Sequence, residues 1–144
     1  MKRKFVTYMK DFDLNKIEPI TNRGWCKPFG GLWASPIDSE FGWKDWCEAE
    51  HFRDCLPEDA NVFDVEMDNI YTIDTLEHLL AVPYKTLPNL YGYRDIDFEA
   101  MSREYNGIFL TVFGQYDTRF SEPMNLYGWD CESIIIFYKE AIIL

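Results

Sequence analysis

The period of the apolar positions changes repeatedly along this chain. Lys4 to Tyr8 is rich in β-branched and aromatic residues and predicts a first strand. Residues 13–20 allow a short helical turn, stopped by Pro19 and the polar run Thr21-Asn22-Arg23-Gly24. Gly30 to Ser35 (Gly-Gly-Leu-Trp-Ala-Ser) predicts a glycine-led strand ended by Pro36, and Trp43 to Cys55 has helical spacing closed by Leu56-Pro57. Asn61 to Met67 alternates apolar and polar positions, the period of a half-buried strand, and Asn69 to Ile73 follows as another strand or its continuation. Asp74 or Thr75 can cap a helix over Leu76 to Val82. Tyr84 to Tyr93 holds Pro88 and Gly92, lacks a period and predicts a loop. Asp97 to Tyr105 predicts a helix capped by Asp95 or Asp97. Gly107 to Phe113 and Ser133 to Tyr138 are strongly apolar and predict strands, joined by a polar connection containing Gly114, Pro123 and Gly128.

About six strands and three helices, in no regular βα alternation, predict an α+β fold with a mainly antiparallel sheet. No linker, repeat or low-complexity tract interrupts the 144 residues, so residues 1–144 are expected to form a single domain. Hydrophobic residues at 47% and charged ones at 27% are the balance of a globular chain. Lys plus Arg number 14 against 25 Asp plus Glu, a net charge of −11, which argues against direct nucleic-acid binding through phosphate neutralisation. No stretch approaches the roughly 18 apolar residues of a membrane helix, and Lys10 and Asp11 cut off any apolar signal region. A cytoplasmic location without a membrane partner is the expectation. Aromatic residues reach 17%, enough for a dense core with rings left over to line a pocket.

The four cysteines, Cys26, Cys47, Cys55 and Cys131, form no C-x-x-C pair and are expected as free thiols. Cys47, His51 and Cys55 stand at i, i+4 and i+8, one face of a helix, where a soft metal could be held with a further ligand. Structural zinc sites draw ligands in pairs from separate turns, so the stripe reads instead as the buried side of an amphipathic helix, and no metal is expected. His78 has no partner in sequence and reads as a helix-surface residue.

Gly30-Gly31 lacks the Gly-Lys-Ser/Thr of a P-loop, and G-x-G-x-x-G, H-E-x-x-H and G-x-S-x-G are absent. What remains is a carboxylate and an aromatic-lined pocket, drawn from Lys27 to Ser35 and from Trp129 to Phe137. Gly30 and Gly31 permit close backbone approach to a ligand. Trp33, Trp43 and Trp46 offer flat faces for a planar ring, and Glu132 opens an apolar strand where a single negative charge has leverage.

A first strand, a Gly30-Gly31-Leu32-Trp33-Ala34-Ser35 strand feeding a helix, and Glu132 opening Ser133-Ile134-Ile135-Ile136-Phe137 together resemble the ADP-ribosyltransferase superfamily of diphtheria toxin and the poly(ADP-ribose) polymerases. Residues 69–75 and the Glu104-Tyr105-Asn106-Gly107-Ile108 turn also resemble small bacterial and phage-encoded members. The resemblance implies a split, mainly antiparallel β-sheet core with short helices. It also implies an enzyme that uses NAD as co-substrate and transfers ADP-ribose to a macromolecular acceptor, a protein in the first place. Glu132 would hold the nicotinamide-ribose 2′-hydroxyl and stabilise the oxocarbenium-like charge; Ser35 would support Glu132 and the ribose. Trp33, Trp43 or Trp46 would stack on nicotinamide, and backbone groups near Tyr8 would hold its amide. Lys27 is a candidate contact to the phosphates.

Two positions depart from the family pattern. The first strand offers Thr7-Tyr8-Met9 where relatives usually carry His or Arg, and Tyr8 brings no cation. Asp130 falls where arginine-modifying relatives keep a second Glu. Two alternatives stand beside the transferase: a catalytically inactive relative kept as a binding module, and a small acidic interaction or inhibitor protein of phage type.

Overall fold

The computed structural model describes residues 1–88 and 91–144. It is an α+β fold with an open, mostly antiparallel sheet and a few short helices. The sheet strands are β1 (Lys2–Tyr8), β2 (Leu32–Pro36), β3 (Ala60–Glu66), β4 (Ile70–Ile73), β7 (Gly107–Leu110), β8 (Ser133–Ile136) and β9 (Ile142–Ile143). They lie in the order β4-β7-β8-β2-β1-β3-β9, with only the edge pair β4–β7 parallel. A separate hairpin joins β5 (Tyr84–Thr86) to β6 (Arg94–Ile96), and the helices are α1 (Trp43–Glu50), α2 (Leu76–Leu80), α3 (Phe98–Glu104) and α4 (Val112–Thr118).

Central strands covered on both faces read as continuous apolar runs, and β7 and β8 are such strands. Alternation along β8 sends Ile135 into one cluster with Leu79, Phe98, Ile108 and Trp129, and sends Ile134 and Ile136 into another with Phe5, Phe63, Val65 and Phe109. The sheet therefore separates two cores.

At β1–β2 the ladder consists of Phe5–Pro36 and Val6–Ser35 alone, as short as the β3–β9 pairing at the sheet edge. By contrast β1 pairs with β3 along its whole length, from Lys2–Glu66 to Tyr8–Ala60. Past Val6 the strands β1 and β2 separate, and Thr7, Tyr8 and Met9 face Trp33 and Ala34 across a cavity.

Several sequence expectations need correcting. The helix expected over Trp43–Cys55 stops at Glu50, because His51 takes a left-handed conformation (φ 51°) and its N–H closes onto the Cys47 and Glu48 carbonyls. Cys47, His51 and Cys55 consequently do not share a helix face. Cys47 is buried under α1, while His51 is exposed beyond its end.

The expected loop over Tyr84–Tyr93 contains β5; its residues Asn89 and Leu90 lie outside the described residues. The strand expected to reach Phe113 ends at Leu110. Helix α4 then occupies the start of the expected polar connection, capped by the Thr111 hydroxyl, which accepts from the Gly114 N–H at 3.0 Å. The turn at residues 13–20 is a single 3₁₀ turn, Leu14–Lys16. No helix among the described residues is long and apolar enough to cross a membrane.

Candidate functional site

The cavity between β1 and β2 has a volume of about 340 Å³. Tyr8, Gly31, Trp33, Ser35 and Trp43 all line it. Strand register accounts for Tyr8, Trp33 and Ser35, since Val6 is opposite Ser35 and Trp33 is opposite Ile135, so these side chains project on one face. Cys131 and Ser133 continue that face toward the mouth of β8.

Ser35 ties the walls together. Its buried hydroxyl donates to the Glu132 carbonyl at 2.9 Å and accepts from the Trp43 N–H at 2.9 Å, joining β2, the start of β8 and the first turn of α1. Gly42 caps that turn and packs tightly here, since a Cβ on it would stand 3.0 Å from the Ser35 Cβ. Asp45 completes the turn by accepting from the Gly42 N–H at 2.8 Å.

The aromatic wall has two parts. Trp33 meets the edge of buried Trp129 at 4.8 Å between centroids and carries the Lys27 ammonium 5.6 Å above its ring. Trp129 in turn is fixed by its indole N–H, which donates to the Cys26 carbonyl at 2.6 Å. Trp43 stacks on Trp46 at 5.1 Å and 17°, with Phe52 packed against both. Trp46 thus backs Trp43 from outside the cavity lining.

Gly30 lies outside that lining too. At φ 83° it follows a path that L side chains rarely adopt, and a Cβ there would fall 2.2 Å from the Pro19 carbonyl oxygen. Gly31, at φ 73°, would press a Cβ to 2.9 Å from Ile135. The close approach these glycines permit is to the chain itself.

Glu132 is buried, and its carboxylate accepts a 2.6 Å hydrogen bond from the Ser39 hydroxyl in the loop between β2 and α1. Its N–H donates to the Phe41 carbonyl at 3.1 Å. In strand alternation it shares the face of Ile134, so the cavity is lined by its neighbours Cys131 and Ser133 but not by Glu132. The structure therefore brings Ser35 to the Glu132 backbone and leaves the Glu132 carboxylate on Ser39.

Three further residues belong to the site. Asp130 lines the cavity and pairs with Lys27 at 3.6 Å. Arg53 lines it from beyond α1, its guanidinium donating to the Tyr8 carbonyl. Ser39 holds Glu132. Arg53 and Ser39 left no signal in the sequence, since an isolated Arg after a helix and a Ser in a turn are ordinary surface residues; Asp130 was visible through its spacing from Glu132.

Cys131 also faces the cavity, but burial pushes its thiol from 9.0 up to about 11, with the Asp130 charge adding to the effect and the Ser35 hydroxyl opposing it. A thiol in that state is a poor nucleophile at neutral pH. Cys47 is raised to about 12, by burial first and by neighbouring Cys55 next. The two line one surface groove with His51, yet no group of three His, Cys, Asp or Glu suited to a metal ion occurs among the described residues. No family model, curated protein or solved structure matches this chain.

Proposed function

We propose that the β1–β2 cavity binds the nicotinamide end of NAD and that the chain transfers ADP-ribose from it to a macromolecular acceptor, a protein in the first place. The observation that carries the reading is convergence. Tyr8, Gly31, Trp33, Ser35 and Trp43, drawn from three separate segments on the strength of an ADP-ribosyltransferase-like pattern, meet at one cavity beside the chain that carries Glu132. An α+β fold with a mostly antiparallel sheet narrowed to two residue pairs at β1–β2 is compatible with the split sheet of that superfamily.

The roles follow from chemistry. Trp33 and Trp43 receive the planar ring, and backbone groups around Tyr8 bind the amide. The bond between the nicotinamide nitrogen and ribose C1′ breaks, its electron pair leaving with neutral nicotinamide, and positive charge develops on the sugar. The Glu132 carboxylate stabilises that charge, with Ser35 fixing the Glu132 backbone and Ser39 holding the carboxylate until a ligand engages it. A nucleophile of the acceptor then bonds to C1′ and loses its proton.

A second reading, a binding module without turnover, is favoured by one observation: the Glu132 carboxylate is absent from the cavity lining and already bonded to Ser39. Nicotinamide release from NAD by wild type and Glu132→Gln, alone and with a cell lysate as acceptor, separates the two. Transferase activity predicts release that rises with lysate and falls about a hundredfold or more in Glu132→Gln. Binding of NAD with no release from either protein would leave the binding module.

A further inference from the structure

We infer that Arg53 is the anion anchor of the β1–β2 cavity and holds a phosphate of its ligand. The inference rests on the dinucleotide reading above and names the residue that would fix the charged part of that ligand.

Charge is the first argument. Lys27, Arg53 and Asp130 are the charged residues among those lining the cavity, so it is locally cationic in a chain whose net charge is −11. Lys27 is already engaged, with Asp130 at 3.6 Å and the Trp33 ring beneath it at 5.6 Å. Arg53 takes part in none of the ion pairs found among the described residues. Its partner is the Tyr8 carbonyl, which is neutral and occupies only part of the guanidinium fork. The charge and most of the donors remain available.

Position is the second. The left-handed turn at His51 reverses the chain and seats Phe52 on the Trp43–Trp46 pair, which carries Arg53 to the cavity wall. Its bond to Tyr8 O then holds the guanidinium beside the widening gap between β1 and β2. An aromatic wall and an unneutralised guanidinium on one cavity fit a ring joined to a phosphate, because a planar fork matches phosphate oxygens in two parallel hydrogen bonds. At about 340 Å³ the cavity stands near the small end of ligand pockets, so it takes one ring, sugar and phosphate, and the remainder of a dinucleotide emerges past Arg53.

Calorimetric titration of wild type, Arg53→Gln and Arg53→Lys with NAD, nicotinamide mononucleotide, nicotinamide riboside and ADP tests this at fixed ionic strength. Arg53→Gln is expected to weaken NAD and the mononucleotide about tenfold to a hundredfold, the size of one lost charge-assisted hydrogen-bonding group. Riboside affinity should stay unchanged, and Arg53→Lys should recover part of the loss. Equal weakening of the phosphate-free riboside would overturn the assignment, since Arg53 would then merely support the loop. Unchanged NAD affinity in Arg53→Gln would overturn it while leaving the dinucleotide reading intact. Wild-type binding of ADP alone, lost in Arg53→Gln, would uphold the anchor and remove the dinucleotide reading. A wild type that binds no phosphate-bearing ligand overturns both.

Discussion

Ser35 shows how one buried hydroxyl can organise a site. The resemblance places Ser35 beside Glu132, and nothing in its neighbours announces that it also meets the first turn of α1. In the fold it donates to Glu132 O, accepts from Trp43 N and lies 3.9 Å from the Cys131 sulfur. That environment decides what Cys131 can do. Because burial raises its pKa to about 11, the stabilisation contributed by the protonated thiol is complete below its unfolded value near 9.0 and is lost progressively as pH rises from there through about 11. Iodoacetamide at pH 8 should therefore leave Cys131 unmodified in the folded protein and label it once guanidinium unfolds the chain. Peptide mapping by mass spectrometry reads the outcome, and native labelling at the unfolded rate would show the thiol to be open and ionisable.

Among the elements, legibility followed periodicity and caps. Strands β1, β3, β7 and β8 were readable because alternation or a continuous apolar run matches half-buried or doubly covered strands, and α3 because Asp97 precedes it. Helix α4 was hidden by Gly114, which reads as a breaker. In the fold it is required, since a Cβ there would fall 2.0 Å from the Ile73 carbonyl oxygen. Tyr84–Thr86 gave no period because all three residues are exposed and held only by Arg94–Ile96. The end of α1 turned on a non-glycine residue entering the left-handed region, which sequence rules assign to Gly or Asn first. Much of the aromatic site was legible from residue type; Arg53 was not, because its place depends on that reversal.

The cap on α3 supports its own prediction. Asp97 accepts from the Ala100 N–H at 3.1 Å and from the Asn22 side-chain amide at 2.9 Å, while the Asn22 oxygen accepts from the Phe98 N–H at 2.8 Å. Burial works to raise the Asp97 pKa, but the Asn22 and Ala100 hydrogen bonds together with the Lys85 and Arg103 charges outweigh it and the carboxyl titrates below 3.8. A depressed carboxyl contributes stability above its unfolded value and loses it as pH falls through the folded one. Asp97→Ala should cost about 1–2 kcal/mol at pH 7. The gap from wild type should narrow below pH 3.8. Urea unfolding at both pH values measures this, and a gap that widens in acid would mean that the carboxyl acts in its protonated form.

At the level of the whole molecule, the sheet is the frame and the short β1–β2 seam inside it is the site. Seven strands run from β4 to β9, and the ladder thins to two residue pairs at β1–β2, the place where aromatic rings, Ser35, Arg53 and the Asp130–Lys27 pair gather. Where the sheet opens, the Tyr8 backbone has no β2 partner, and its carbonyl accepts from the Arg53 side chain instead, while Thr7 and Met9 bond toward β3 and Asn61. A crystal structure of the protein with a non-hydrolysable NAD analogue tests the proposed nicotinamide site most directly. The expected complex has the nicotinamide ring against Trp33 and Trp43, its amide on the Tyr8 backbone, and the Glu132 carboxylate turned from Ser39 to the ribose. Density for the analogue elsewhere on the surface, with the β1–β2 cavity filled by solvent, would contradict it.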